Sequence, residues 1–566
     1  MNNTTRRFTG LWCGILLLML MGVWGSPGRA ADVYYVSPQG PGGDFKSWAQ
    51  AAGSIQAALD LAAAGDTVRV SNGVYVLTAQ LQITNGVSLV GEGGPAETVV
   101  DGGYTPGGTT TNRCLLVTGG NPFITGFTFS NGAVFVEDGG GVNMIGGTLS
   151  NCVVRNNRAY LLAAGTRIGG GVRAVDSTII DCRIVDNRLE AAEFNKQGWS
   201  GGGAGVVLTG TTGLMQDCVI SNNALLGGYS STMLGGGARV DAATLRNCVI
   251  ADNSNQRGWG GGLRIDAAKL DGCTIMRNRS MSFGGGCLAQ TGTFTNCLFA
   301  FNYTTSNGGG LMGRYTAANR FVRVFDSRFI GNTNGAVYWM TNNDVWWDKS
   351  RYLLDHCVFE GNTGYGVVLP FTNDVMAHCE VRGTVGVGVK FRNGFMRNCL
   401  IANNTNDTSE GAGVLIPSTG TNASISACTI AGNVCDGFAG SGVRIAATAP
   451  VSLTIASSVI AGNGASGLDD VADAGGVSAG ALSYSCIGAN PGFTGDGILV
   501  ADPRFKNPAA GNFRLRDGSP CRDLGLPEPW MNEALDLDGH PRVQFGTVDM
   551  GAYELGAIPG FLLQLR

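Results

Sequence analysis

The sequence predicts an all-β solenoid, a parallel β-helix of about thirteen coils, and three observations predict it. A Cys-x-apolar-x-x-Asn pattern returns every 20 to 36 residues, a period that marks stacked repeats. Between each Asn and the next Cys lies a Gly cluster, followed by a short string rich in Val, Ile and Leu, which reads as a corner and then a strand. The strings also lack the 3.6-residue apolar period that a helical solenoid needs.

Composition fits this class and removes others. Of 566 residues, 91 are Gly, 44% are apolar and only 14% are charged, with a net charge of −4 and three His. The apolar share excludes general disorder, and the absence of an every-third Gly excludes collagen. So little positive charge also argues against a nucleic-acid partner.

The chain opens with an address. Arg6 and Arg7 precede the apolar run Leu11–Trp24, and Gly28-Arg29-Ala30-Ala31 follows, the order of a secretory signal peptide. Residues 1–31 are therefore expected to be removed, giving an exported protein that is secreted or held at the outer cell surface, with no membrane span. Residues 32–138 then form an N-terminal cap and first coils, 139–490 the repeats, 491–554 a C-terminal cap and 555–566 a tail.

Within the repeats the pattern runs from Cys152/Asn157 through Cys182/Asn187, Cys218/Asn223, Cys248/Asn253, Cys273/Asn278 and Cys297/Asn302. It returns at Cys357/Asn362, Cys399/Asn404 and Cys428/Asn433, with Ser at Ser327 and Ser458, Thr384 in one Asn place, and Cys486 as a degenerate last copy. Gly169-Gly170-Gly171 and Gly235-Gly236-Gly237 exemplify the Gly corner, where positive φ and close backbone approach are needed. Asn tolerates the left-handed conformation, and its amide can bond the Asn of the next coil. Sixteen Cys in an exported chain suggest disulfides. Equivalent side chains of stacked coils point the same way, however, so the ladder reads as small buried hydrophobes. No Cys/His cluster of zinc type occurs.

Three segments resemble known families. Val33-Tyr34-Tyr35-Val36-Ser37-Pro38, Ser54-Ile55-Gln56-Ala57-Ala58-Leu59 and Gly73-Val74-Tyr75 resemble the N-terminal cap of pectate-lyase-like proteins. The repeats are similar to right-handed parallel β-helix repeats and to those of chlamydial polymorphic outer-membrane proteins. Asp536-Leu537-Asp538-Gly539 and Val548-Asp549-Met550-Gly551-Ala552-Tyr553-Glu554 resemble the choice-of-anchor C-terminal region of secreted bacterial β-helix proteins. These resemblances imply a single-stranded right-handed β-helix with a short capping helix and an irregular C-terminal cap. They leave activity open, because the fold hosts lyases, hydrolases, epimerases, adhesins and tailspikes.

Two regions carry candidate chemistry. The corner after Asn is long in three successive coils and shortens afterwards, so its loops should stack into a wall bearing Trp199 and Tyr229, with Trp259 and Phe283 before the next Gly corners. A second insertion carries Trp346 and Trp347. Aromatics along a groove stack on sugar rings; they also simply pack loops together. Downstream, Lys390 and Arg392 alternate along a strand. The pectate-lyase-like resemblance implies that such a pair could serve as base and carboxylate clamp in β-elimination on a uronate; a solvated face with ion pairs is the other reading. His356 and His378 should stack, and Arg239/Asp241 and Arg264/Asp266 should pair between coils as surface decoration. Asp470 and Asp473 read as a turn. Asp536-x-Asp538-Gly539 has the start of a calcium loop without its fuller acidic pattern, so no metal residue is assigned, and Ca²⁺ is the one cofactor left open.

The expectation is an exported, surface-associated protein that binds a polysaccharide or cell-surface glycan, or acts in adhesion, without catalysis. The alternative is a polysaccharide lyase or another carbohydrate-active enzyme. The two differ in whether the aromatic wall and the basic pair converge on one cleft.

Overall fold

The computed structural model describes residues 29–106, 108, 111–135, 137–161, 165–194, 199–228, 233–314, 321–339, 351–417, 422–446, 452–464, 470–473, 475, 481–488 and 495–555. Its strands form three long parallel sheets of seventeen strands each. Each coil runs from the Gly corner into sheet 1, turns into sheet 2, passes the Cys position into sheet 3, and leaves at the Asn corner. In one coil these strands are Val172–Val175, Thr178–Ile180 and Arg183–Val185. The register is unbroken on sheet 3, where Val154, Ile184, Ile220 and Ile250 stand one above another. Ladder coils supply thirteen of the sheet 3 strands; Gly73–Val76, Thr98–Asp101 and Thr128–Ser130 stack before them.

Inward-facing residues fuse into one core from Tyr34 to Ile487. Equivalent aromatics stack inside it: Phe299 lies 4.5 Å from Phe329 with rings nearly parallel, and Phe359 follows at 5.0 Å. The one α-helix among the described residues, Ile55–Leu61, is capped by Ser54 and buries Ile55, Ala58 and Leu59 against the first coil.

The Asn corner forms an amide ladder. Asn223 donates both its backbone N–H and its Nδ2 to Asn253 Oδ1 at 3.0 Å, and Asn253 repeats the pattern onto Asn278. Each Nδ2 also donates to a carbonyl of the preceding coil, as Asn253 does to Ile220 O at 2.9 Å. These side chains are fully buried, so the ladder satisfies groups that would otherwise cost about 1–3 kcal/mol each. The left-handed residue is not the ladder Asn but the one before it: Asn156, Asp186, Asn222 and Asp252 all have φ of 55–60°. The Gly cluster answers the same ladder. Gly235 takes φ 78°, and a Cβ on Gly237 would stand 2.7 Å from Asn253 Cγ.

Thr384 interrupts the ladder. Its N–H still donates to Asn404 Oδ1, but its Oγ1 has no partner. The second run ends on a carboxylate: Asn463 N and Nδ2 donate to Asp470 Oδ1 at 2.8 and 2.9 Å. Asp470, read from sequence as a turn residue, is thus the buried terminator, able to accept without having to donate onwards.

The described cysteines are free and buried. The ladder thiols donate to the carbonyl two residues back, as Cys218 does to Gln216. Ser327 and Ser458 serve the same position, accepting from Cys297 and Cys428 backbone N–H groups. Cys486 is not the last copy. Ser458 N–H donates to Ser485 Oγ, and Cys486 pairs with Val459 instead. It faces outward against the C-terminal segment, in a cluster with Cys521, Phe513 and Met550.

That segment lies along the outer face of sheet 3, over Leu400, Ala431 and Val459. Asn398 Nδ2 donates to Leu535 O, Gly551 N–H to Ser457 O, and Ala552 N–H to Thr429 Oγ1. The residues that resemble the choice-of-anchor motif build its centre. Fully buried Arg542 pairs with Glu554 at 3.2 Å and donates to the Gly551 carbonyl. Asp536 Oδ1 accepts from the N–H groups of Asp538 and His540, while Asp538 is held by Arg514. Both carboxylates that prompted the calcium reading are therefore engaged within the chain.

Candidate functional site

Long and short Asn corners give the outer face of sheet 1 two different surroundings. In the long-corner coils the chain adds strands at Arg158–Leu161, Arg188–Phe194 and Ala224–Gly228, stacked in parallel. A smaller sheet joins Gly165–Ile168, Trp199–Gly202 and Met233–Leu234. A satellite core of Val134, Ala159, Leu189, Ala204 and Leu225 holds the first of these.

Trp259 lies at the inner end of this wall and is 8% exposed. It packs with Leu288 and Met312 on sheet 1 and meets Phe283 edge-on at 5.1 Å. The Arg314 guanidinium, from two rungs on, covers its ring at 3.9 Å. Trp199 belongs to the small wall sheet. Tyr229, Trp346 and Trp347 lie outside the described residues, as do residues 1–28, where a signal peptide is expected. Arg264 departs from the surface reading: it is 7% exposed and bonds Asp241 of the preceding coil and Gln290 of the next.

In the short coils the corner disappears into continuous seven-residue strands, Thr363–Leu369 and Val385–Phe391. Lys390 stands on the outer face of sheet 1 with its Nζ 3.4 Å from Tyr365 Oη, and Tyr365 donates to Glu410 at 3.0 Å. Burial, and then the Glu410 carboxylate, pushes the Tyr365 phenol above its ordinary range. Arg392 follows just past the strand end, with buried Phe391 between the two cations. Lys390 is five rungs from the coil of Trp259 on sheet 1, about 24 Å at the usual strand spacing. Among the described residues the aromatic wall and the basic pair do not meet.

A groove that the sequence reading did not single out opens beside the Asn corner of the first coils. It encloses about 370 Å³ and is lined by Tyr104, Asn131, Asn156, Arg158, Asp186, Arg188 and Asn222. Asn131, Asn156, Asp186 and Asn222 are the left-handed residues of four successive coils, so their side chains recur at the coil rise. Tyr104 closes one side, its Oη 2.7 Å from that of Tyr160 and its ring 5.3 Å from the Arg158 guanidinium. Glu190 pairs with Arg158 at 3.0 Å and reaches Arg188 only at 4.0 Å. The sequence signal was available: an Asn or Asp before each of Asn157, Asn187 and Asn223, with Arg158 and Arg188 following in register.

His356 and His378 stack as expected, with ring centroids 4.5 Å apart. Burial works against charge on His378, but the Asp355 hydrogen bond outweighs it and its pKa is raised.

The family described as "right handed beta helix region" matches residues 113–299, 171–349 and 337–480. The chain belongs to that family of right-handed parallel β-helix proteins. No curated protein sequence matches it significantly. Among solved structures it is similar to pectate lyase Pel9A, with 12% identity over 92% of this chain and 96% of that one, at a TM-score of 0.28. The Dettilon tailspike protein is 11% identical over 72% and 67%, at 0.32. An α-1,3-glucanase catalytic unit from Streptomyces thermodiastaticus is 13% identical over 84% and 70%, at 0.28.

Proposed function

We propose that the protein is an exported, surface-exposed β-helix that binds an anionic polysaccharide without cleaving it, through the groove beside the first Asn corners. The observation that carries this reading is the groove's lining: a row of amide and carboxylate side chains at coil spacing, two arginines and one tyrosine face. Amides and an aromatic suit sugar hydroxyls and ring faces, and arginines suit carboxylate or sulfate groups on the glycan. A repeating array also suits a repeating polymer, because neighbouring contacts add without a new docking event. The signal-like residues 1–31 support export.

A second reading, β-elimination at Lys390, has one specific support, the Lys390–Tyr365–Glu410 chain on the outer face of sheet 1. The test offers polygalacturonate, alginate and a neutral glucan to the protein, with and without Ca²⁺. Calorimetry follows binding, while ultraviolet absorbance and reducing-end assays follow cleavage. Binding of the acidic polymers without either product, weakened about tenfold by Arg188→Ala, is the expected result. Unsaturated ends that vanish in Lys390→Ala would overturn it in favour of a lyase.

A further inference from the structure

The residue before each ladder Cys or Ser takes a positive φ and is mostly Asn, Asp or Ser, as at Asn247 (φ 51°), Asp326 (φ 49°) and Ser457 (φ 51°). In two successive coils it is His: His356 (φ 52°) and His378 (φ 48°). These are two of only three histidines in the chain. The stack brings them together, with planes 17° from parallel. Asp355 Oδ1 lies 3.1 Å from His356 Nδ1 and 2.8 Å from His378 Nδ1. Two nitrogens and one oxygen thus converge from two coils, all within 4.8 Å of one another.

Donors bound 2.0–2.1 Å from a first-row ion at a right angle are about 3 Å apart, which is the spacing between this carboxylate oxygen and each ring nitrogen. His378 is 17% exposed and its ring also bonds the backbone of Leu535, in the C-terminal segment. An outer bond of that kind orients a metal-ligating imidazole. His356, 57% exposed, leaves the opposite side open to water. Imidazole with one carboxylate is a donor set for zinc or nickel and not for calcium, which takes oxygen.

We propose that Asp355, His356 and His378 bind one divalent first-row transition ion, which cross-links two coils and, through Leu535, steadies the C-terminal segment. The test titrates the tag-free protein with zinc chloride by calorimetry and follows thermal unfolding as zinc is added. One ion per chain is expected, with an unfolding midpoint that rises and saturates at one equivalent, since binding to the folded state alone stabilises it. His356→Asn and His378→Asn should each weaken binding at least tenfold. Asn occupies the same left-handed corner at Asn247 and Asn398, so the fold tolerates both changes. His540→Asn, in the separate Asp536/Asp538/His540 group, should leave zinc binding unaltered. Absence of zinc binding in the unsubstituted protein, binding that survives both corner substitutions, or binding lost only in His540→Asn would each overturn the proposal.

Discussion

The long-corner coils around Asn157 to Asn223 and the coils around Asn362 and Thr384, where the corner closes into a continuous strand, share one core and one register, yet they are buttressed on different sides. The former fold their own insertions over sheet 1, and Trp259 and Phe283 continue the cover, so that outward-facing Val207, Leu288 and Met312 are fully buried. Around Asn404 and beyond, the support comes on sheet 3 from the end of the chain, which covers Leu400, Ala431 and Val459. On the outer face of sheet 1, half-buried Lys390 stands between buried Val368 and Leu415, beside Tyr365. A solenoid's core fixes only the inward side chains; the outer faces are free to be covered or used.

The largest way to break the comparison lies at the rung that supports the last long-corner coil, where the ladder is complete. Asn253→Ala removes the acceptor of Asn223 N–H and Nδ2 and the donor to Ile220 O. With several buried groups left unpaired, a loss of about 4 kcal/mol is expected, read as a lower urea midpoint. A change no greater than that of Cys248→Ser would refute the ladder's role. Cys248→Ser itself should cost under about 1 kcal/mol, because Ser already fills the position at Ser327 and Ser458.

The second break removes the short coils' buttress. Arg542→Met removes the partner of Glu554 and the donor to the buried Gly551 and Asp549 carbonyls, and leaving such groups unpaired costs about 3 kcal/mol. The loss should appear first as protease sensitivity of the C-terminal segment, with the long-corner coils still protected. Acidity gives a reversible version. Burial raises the Glu554 pKa from 4.5 to about 8, against the pull of Arg542. A carboxyl whose folded value is raised contributes stability that is full below its unfolded value and is lost as pH rises through the folded one. Docking of the segment should therefore weaken from pH 5 to pH 8, and Glu554→Gln should flatten the dependence. A segment that tightens over that window would contradict the assignment.

The sequence made the inward rows legible, because Cys, Asn and Gly each recur at a position where only a small, an amide or a side-chain-free residue fits. Its errors came from register and from distance. Cys486 carried the residue type but not the frame, and Ser485 one residue earlier holds the place. Trp259 stands where an exposed platform is expected, but Arg314, 55 positions later in the chain, lies across its ring. The C-terminal buttress had a trace in the outward positions of sheet 3, which pass from Glu360 and Arg382 to Ala402 and Ala431. Reading that change as a covered face requires the register, which strand pattern alone does not supply. The groove at Arg158 and Arg188 has little signature of its own in the sequence, because its polar row is a by-product of the left-handed turn.

The smallest effect sharpens the comparison by removing one of its differences. Thr384 sits in the ladder with an unpartnered Oγ1, and Asn362 above it keeps its Nδ2 bond to Phe329 O but has no amide below. Thr384→Asn would supply an Oδ1 for the Asn362 N–H and Nδ2 and an Nδ2 for the Asn404 side, joining the two runs into one. Space exists in principle, because Gly366 stands beside Thr384 as Gly388 stands beside Asn404. Restoring hydrogen bonds to buried groups should stabilise the protein by about 1 kcal/mol, seen as a raised urea midpoint and slower amide exchange at Asn362. A destabilised variant would mean that the short coils are too tightly closed for an amide. Thr384 would then be the residue that lets the corner collapse into a continuous strand.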